Sequence, residues 1–353
     1  MIQRVSDIVP EAADMKSLFL EPADGEPLRY EAGQFLTLLF SFQGRELRRS
    51  YSFASTPGID PVPAVCVRRV PNGEISRHLL DHLRVGDLLT TLEPAGRFTL
   101  GALEAGNVIF VGAGSGIVPI YSLLKEALAL RPHLRVQLLT QQHDVAASPF
   151  RAALQGLEAS FGAHRLEWTE MLTVRDGRMH RGWLEEWVLA RGRATLDGQY
   201  YVCGPPDFMR MVQFTLRTLG VAAERIRREH FTVGRIAPAP PVFDATPKRI
   251  TIRDTEITRE FTAVWPESIL DAALRQGIAL PYSCRAGRCS SCVARCLAGR
   301  VRMTNNEVLT ENDLREGLVL TCTGYAETDV ELSYERSSAP NPTGNNAPER
   351  GMT

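Results

Sequence analysis

Cys284-Arg-Ala-Gly-Arg-Cys289-Ser-Ser-Cys292, followed far downstream by Cys322, decides how this chain of 353 residues is read. The spacing is C-x4-C-x2-C…C, in which four thiolates hold a plant-type [2Fe–2S] cluster. Three ligands come from one short loop. Its small residues, Ala286, Gly287, Ser290 and Ser291, let backbone N–H groups turn toward sulfur. Gly287 also takes φ > 0 without a Cβ clash. A four-cysteine zinc site is the competing reading. Zinc sites usually read as two C-x2–4-C knuckles, whereas Cys322 has no second Cys or His beside it. Seven cysteines in a long chain with no secretory signal argue against disulfides. Cys296 fits no ligand spacing and reads as a free, buried thiol, and Cys66 reads as a core residue.

A cluster of this type moves one electron at a time, so the remainder of the chain is expected to supply electrons. The length allows two or three domains. A net charge of −1 gives no case for nucleic acid binding. No apolar run approaches the roughly 20 residues that span a bilayer. Met1-Ile2-Gln3-Arg4 does not open a signal peptide, so a cytoplasmic protein without a membrane partner is expected.

Residues 1–101 alternate in short runs. Leu36 to Phe40, Tyr51 to Phe53 and Ala64 to Val67 read as strands, separated by turns such as Pro71-Asn72-Gly73. An antiparallel β-barrel or sandwich is expected. The character changes in residues 102–233. Val108 to Val111 is a continuous apolar run, a helical pattern follows from Ile120 to Leu130, and further strands read at Arg135 to Thr140 and Tyr200 to Cys203. A helix is expected from Asp207 to Leu219. Strands alternating with helices predict a parallel α/β nucleotide-binding domain. Residues 234–247 carry four prolines and read as a linker. Residues 248–335 read as a small β-rich domain with a helix at Ser268 to Gln276. Residues 336–353 read as a disordered tail.

Val111-Gly112-Ala113-Gly114-Ser115-Gly116 joins a predicted strand to a predicted helix. Glycines there let the backbone approach a pyrophosphate, and the helix N-terminus favours its charge. The next strand ends Thr140-Gln141-Gln142-His143-Asp144, with no Arg or Lys for a 2′-phosphate. NADH is therefore preferred to NADPH, although NADPH stays open and His143 is available to it.

With Arg49-Ser50-Tyr51-Ser52 in the barrel, the chain resembles the ferredoxin–NADP⁺ reductase superfamily, whose flavin motif is R-x-Y-S. The order of barrel, nicotinamide domain and C-terminal ferredoxin domain resembles the reductase components of bacterial multicomponent oxygenases, among them the reductase of phenylacetyl-CoA epoxidase. The fold implied is a flavin-binding barrel, a parallel α/β domain and a β-grasp-like [2Fe–2S] domain. The resemblance makes Arg49 the partner of the flavin pyrophosphate. It packs Tyr51 on the isoalloxazine ring and turns the Ser52 hydroxyl to the hydride-accepting nitrogen. Gly73-x-x-Ser76 would hold the pyrophosphate through N–H groups of Ile75 and Ser76, and Val67 and Arg68 would line the flavin's outer half. Cys203-Gly204-Pro205 would lie beside the nicotinamide, with Gly112, Gly114, Ser115 and Gly116 around the dinucleotide. Glu229 and Phe231 match an E-x-F segment near the flavin. Tyr51, Ser52 and Cys203 are the implied catalytic set, and Cys284, Cys289, Cys292 and Cys322 the metal ligands. Pro94-Ala95-Gly96-Arg97-Phe98 resembles a segment of FAD-binding members, so FAD is favoured over FMN. The implied chemistry is hydride transfer from NAD(P)H to flavin, then single electrons to the cluster and on to a terminal oxygenase. Another redox protein, such as a hybrid-cluster protein, is the alternative acceptor. A non-enzymatic iron–sulfur binding protein is the reading from a different class.

Overall fold

Alternation along six strands builds the first sheet. Ile2–Ala12, Met15–Pro22, Phe35–Phe42, Arg45–Ser52, Ala64–Arg68 and Leu88–Thr91 pair antiparallel throughout. A bridge between Phe53 and Val65 joins the two outer strands and closes the barrel. Leu36, Leu38, Val65 and Val67 point into its core. The strand expected at Tyr51 begins earlier, at Arg45, because pairing with Phe35–Phe42 satisfies its backbone without apolar side chains. The computed structural model describes residues 1–23, 25, 27–42, 45–101, 106–231, 244–253 and 258–334. The expected tail, and the linker as far as residue 243, lie outside them.

The second sheet is wholly parallel. Its spatial order is Ile226–Glu229, Gln199–Cys203, Gly106–Ala113, Leu134–Gln142, Leu166–Leu172. The chain runs outward on one side of Gly106–Ala113 and returns on the other. The crevice for ligands in such a sheet opens at that reversal, beyond the C-terminal strand ends. The glycine turn Gly114–Gly116 and the segment Cys203-Gly204-Pro205 meet there. The helix Ile117–Leu130 starts three residues before the expected Ile120.

The third sheet is mixed, in the order Thr258–Ala263, Lys248–Arg253, Val330–Ser333, Val293–Ala298, Leu318–Leu320. The helix Ile269–Arg275 packs its buried Ile269, Leu270, Ala272 and Ala273 into that sheet's core. Ser268 caps it by accepting from the Asp271 N–H at 3.1 Å. A mixed sheet crossed by one helix is the β-grasp arrangement expected.

The barrel and the parallel domain do not have separate cores. Met15, Ala32, Ala54, Cys66, Phe98 and Leu100 join Phe110, Leu123, Leu124 and Tyr201 in one apolar cluster. The Thr56 hydroxyl donates to Ser122 O at 2.8 Å, and Ser122 Oγ donates to Ser55 O at 2.6 Å. A half-buried ion pair joins Lys125 to Asp60 across the same seam. Such an interface is apolar and hydrogen-bonded enough to fix the two domains relative to each other.

The glycines of the turn divide by physical role. Gly116 has ordinary helical φ of −62°, so conformation does not require glycine there. A Cβ at that position would lie 2.2 Å from Cys203 O and 2.7 Å from Gly204 N. The neighbouring strand end thus demands glycine at this position by itself, whatever the turn binds. Gly114, at φ +57°, is the one whose conformation calls for glycine. Gly116→Ala should cost about 1–3 kcal/mol through overpacking. A thermal melt checks this, and an unchanged midpoint would contradict the close approach.

Candidate functional site

The cluster loop turns its amides inward. Arg285, Gly287 and Ser290 all adopt φ between +53° and +72°. For Arg285 and Ser290, such backbone is a strain held by surrounding contacts. Ala286 N–H donates to Cys284 Sγ, and Cys284 N–H to Cys289 Sγ, both at 3.4 Å. Gly287 N–H reaches Cys322. Cys284 hydrogen-bonds Cys289 and Cys322, and Cys292 hydrogen-bonds Cys322. Those thiol contacts, and the amides of Ala286 and Arg288, hold Cys284 well below the ordinary thiol range. Among the described residues no three His, Cys, Asp or Glu side chains converge as ligands of one ion. The four thiols neighbour one another in the succession Cys289, Cys284, Cys322, Cys292, as four ligands shared by two bridged irons would. Cys296, expected buried, is half-buried, with its thiol donating to Ala298 O at 3.4 Å. Cys66 is a core thiol as expected.

The strand Arg45–Ser52 carries the flavin motif. Arg49 is exposed, and its Nη1 donates only to Arg48 O, at 2.7 Å. It forms no ion pair among the described residues, which leaves a cation for an anionic ligand. Tyr51 is half-buried, and burial pushes its phenol up to about 12 while Arg49 pulls the other way. Ser52 is buried, whereas Ser50 hydrogen-bonds Ser283 of the cluster loop at 2.7 Å. Val67 points into the barrel core at 0 % exposure, so only its backbone faces outward. Arg68 pairs with Asp14 at 2.8 Å, and its Nη1 lies beside Gly114 across the domain seam. The helix Glu74–Asp81 begins after Gly73, as the G-x-x-S reading requires. Ser76 Oγ accepts from Val70 N–H at 3.1 Å, and a Cβ on Gly73 would collide with both residues. The Ile75 side chain packs in the core, so its N–H is the part available to a ligand.

Beyond the parallel strands, Cys203 is fully buried and donates to Glu229 O at 3.4 Å. Burial, then the Glu229 carboxylate, push its thiol up. Pro205 precedes the helix Pro206–Thr218, one residue earlier than expected at its start. Glu229 ends the outermost strand and is buried, and burial, then Cys284, raise its carboxyl to about 8. His230 is pushed down to about 4 by burial. Its Nδ1 faces Glu307 of the third domain at 3.4 Å, and its Nε2 is buried without a partner. Phe231 is 43 % exposed.

These three edges wall one cavity of about 390 Å³. Arg48, Arg49, Ser50 and Ser52 come from the barrel, Glu229, His230 and Phe231 from the parallel domain. Tyr282, Ser283, Cys284, Arg285 and Cys289 come from the cluster loop. Tyr51 and Cys203 stand behind this wall and do not line it.

The sequence matches three family models in this order: an oxidoreductase FAD-binding domain over residues 5–100, an oxidoreductase NAD-binding domain over 110–213, and a 2Fe-2S iron-sulfur cluster binding domain over 251–327. The ferredoxin reductase component of 3-ketosteroid-9-alpha-monooxygenase from Mycobacterium tuberculosis is 34 % identical over 350 residues, covering 94 % of this chain and 95 % of that protein. The chain belongs to the ferredoxin reductase components of oxygenases. A component of 1,2-phenylacetyl-CoA epoxidase from Escherichia coli is 31 % identical to the reductase over 324 residues, covering 88 % and 90 %. The solved phthalate dioxygenase reductase shares its fold, with a TM-score of 0.57, 21 % identity and coverage of 94 % and 97 %.

The reductase is accordingly an oxidoreductase that uses FAD, NAD and a [2Fe–2S] cluster. Its residues fit these groups: Arg49 without an ion pair among the described residues, a cavity shared by all three domains, and four thiols that neighbour one another. Sequence reasoning missed Arg48, Tyr282, His230 and Glu307. No motif marks them, because their partners lie in other domains. Among the described residues no helix is long and apolar enough to cross a membrane. Cys292→Ala should remove the visible absorbance of the cluster and cytochrome c reduction, while NADH still bleaches the flavin. Full cytochrome c reduction by that variant would contradict the ligand assignment. Arg49→Ala should weaken flavin binding about tenfold or more, since a charge-assisted contact to phosphate is lost. Dialysis followed by flavin quantification tests this.

Proposed function

We propose that this reductase takes a hydride from NADH, passes electrons singly through FAD to the [2Fe–2S] cluster, and delivers them to a terminal oxygenase in the cytoplasm. The carrying observation is the shared cavity, in which the flavin strand, the end of the nicotinamide domain and two cluster thiols form one wall. Bound FAD supplies the exchange between two-electron and one-electron chemistry. The chain's residues bind and orient. Arg49 neutralises the pyrophosphate, with N–H groups of Ile75 and Ser76 at the helix start. Backbone at Val67, the Arg68 side chain and Gly73 shape the cleft around it. Ser52 and Tyr51 position the isoalloxazine. Gly112, Gly114, Ser115 and Gly116 admit the dinucleotide, and Cys203, Gly204 and Pro205 hold the nicotinamide end. Glu229 and Phe231 close the cavity against water. Cys284, Cys289, Cys292 and Cys322 hold the cluster.

The functional units divide at residues 101 and 102 and across the linker at 234–247. The flavin and nicotinamide units work as one body, because they share an apolar core. NADH is favoured over NADPH by the end of the strand Leu134–Gln142. Asp144 there accepts from Ala147 N–H at 2.9 Å, and His143 Nδ1 contacts Thr173 Oγ1 at 3.2 Å. A carboxylate at that point repels a 2′-phosphate. The kcat/KM for cytochrome c reduction should be at least about tenfold higher with NADH than with NADPH, a difference of about 1.4 kcal/mol. Equal or reversed values would overturn the preference. Anaerobic titration with NADH tests the chain of carriers itself. Flavin and cluster absorbance should both bleach, and a cluster that stays oxidised would refute the proposed route.

A further inference from the structure

We propose that Arg48 is a positioning residue for electron transfer, holding the segment before the first cluster ligand against the flavin strand. This rests on the reading that electrons cross from flavin to cluster. Arg48 precedes the R-x-Y-S motif, and the motif gives it no role. Its Nη1 donates to Tyr282 O at 3.0 Å, and its guanidinium carbon lies 3.8 Å from the centre of the Tyr282 ring. Glu46 accepts from its Nε at 2.8 Å and orients the group. The side chain is only 19 % exposed, so these contacts are poorly screened.

Strand periodicity adds a second grip. Ser50 lies two residues on, and successive even positions share a face. Ser50 Oγ hydrogen-bonds Ser283 Oγ at 2.7 Å and Thr37 Oγ1 at 2.9 Å. Two same-face residues of the flavin strand thus hold Tyr282 and Ser283, and Cys284 follows directly. All five residues line the cavity that the redox groups share. Electron tunnelling falls exponentially with the gap between carriers. A contact that fixes this gap governs the rate without touching the reacting atoms.

The opposite side of the interface has its own anchor. Glu307 faces His230 and accepts from Arg288 Nε at 2.8 Å and Asn305 Nδ2 at 3.2 Å. Loss of Arg48 therefore loosens one side of the interface and leaves the other side in place.

The test uses the holo-reductase with anaerobic stopped-flow mixing against NADH, following flavin and cluster absorbance separately. The variants are Arg48→Gln, Tyr282→Leu, their combination, and Tyr282→Phe. In Arg48→Gln and Tyr282→Leu, flavin reduction should keep its wild-type rate. Cluster reduction should slow about tenfold in Arg48→Gln, the scale of a lost charged hydrogen bond and ring contact, and severalfold in Tyr282→Leu, which loses the ring but keeps the accepting carbonyl. The double variant should be no slower than the slower single one, because the two residues act through each other. Tyr282→Phe should match the wild type, since ring and carbonyl remain. Flavin content, iron content and visible circular dichroism should be unchanged in all four.

A wild-type rate of cluster reduction in both Arg48→Gln and Tyr282→Leu overturns the proposal. So does an equal fall in both steps, or multiplication of the two effects in the double variant. Failure of the underlying reading looks different: in the wild-type protein itself, NADH would not reduce the cluster.

Discussion

Carriers that exchange electrons must approach closely, and this requirement organises the whole molecule. One cavity has to be walled by edges from three different sheets. The barrel contributes a strand, the parallel domain the end of its edge strand from Glu229 to Phe231, and the third domain Tyr282 to Arg285 with Cys289. The third domain packs a core of its own, whereas the first two sheets share one. Their shared edge mixes arginines, carboxylates, aromatic rings and two thiols, in contrast to the apolar interiors behind it.

Two kinds of interface support that edge. Between the barrel and the parallel domain the join is a continuous core, with Phe98, Leu100 and Cys66 packed among Phe110, Leu123 and Tyr201. It permits little relative movement, which suits two groups that must stack for hydride transfer. Between these units and the cluster domain the contacts are discrete and polar. Arg48 meets Tyr282, Ser50 meets Ser283, Arg97 pairs with Asp313, and His230 faces Glu307. Polar contacts of this kind cost less to break than a shared core. The cluster domain is therefore held in register without being fused to its donor.

Much of the local architecture was legible in the chain. The apolar run at Val108 to Val111 became a central parallel strand, and Gly73-x-x-Ser76 opened a helix. These are signals of period and punctuation, and both reflect short-range physics. The individual glycines were less legible. At Gly116 the structure adds a demand that the motif does not show, the close backbone of Cys203, far along the chain. Val67 sat in the motif region, but strand alternation sends its side chain into the barrel. Cys296 was expected to be buried and is only half so: it packs against the third domain's core, close to the exposed end of its strand.

Sequence alone set the spacing of Cys284, Cys289 and Cys292, because C-x4-C-x2-C is a local feature of one loop that carries its own amides. It also determined the order of the three sheets, since periodicity is written residue by residue. Only the tertiary structure decided that Arg48 meets Tyr282 across 234 positions, and that Glu229 lines one cavity with Cys284. Those contacts carry no spacing rule. They exist because surfaces from different domains come together, and packing is a property of surfaces that no single stretch of chain contains.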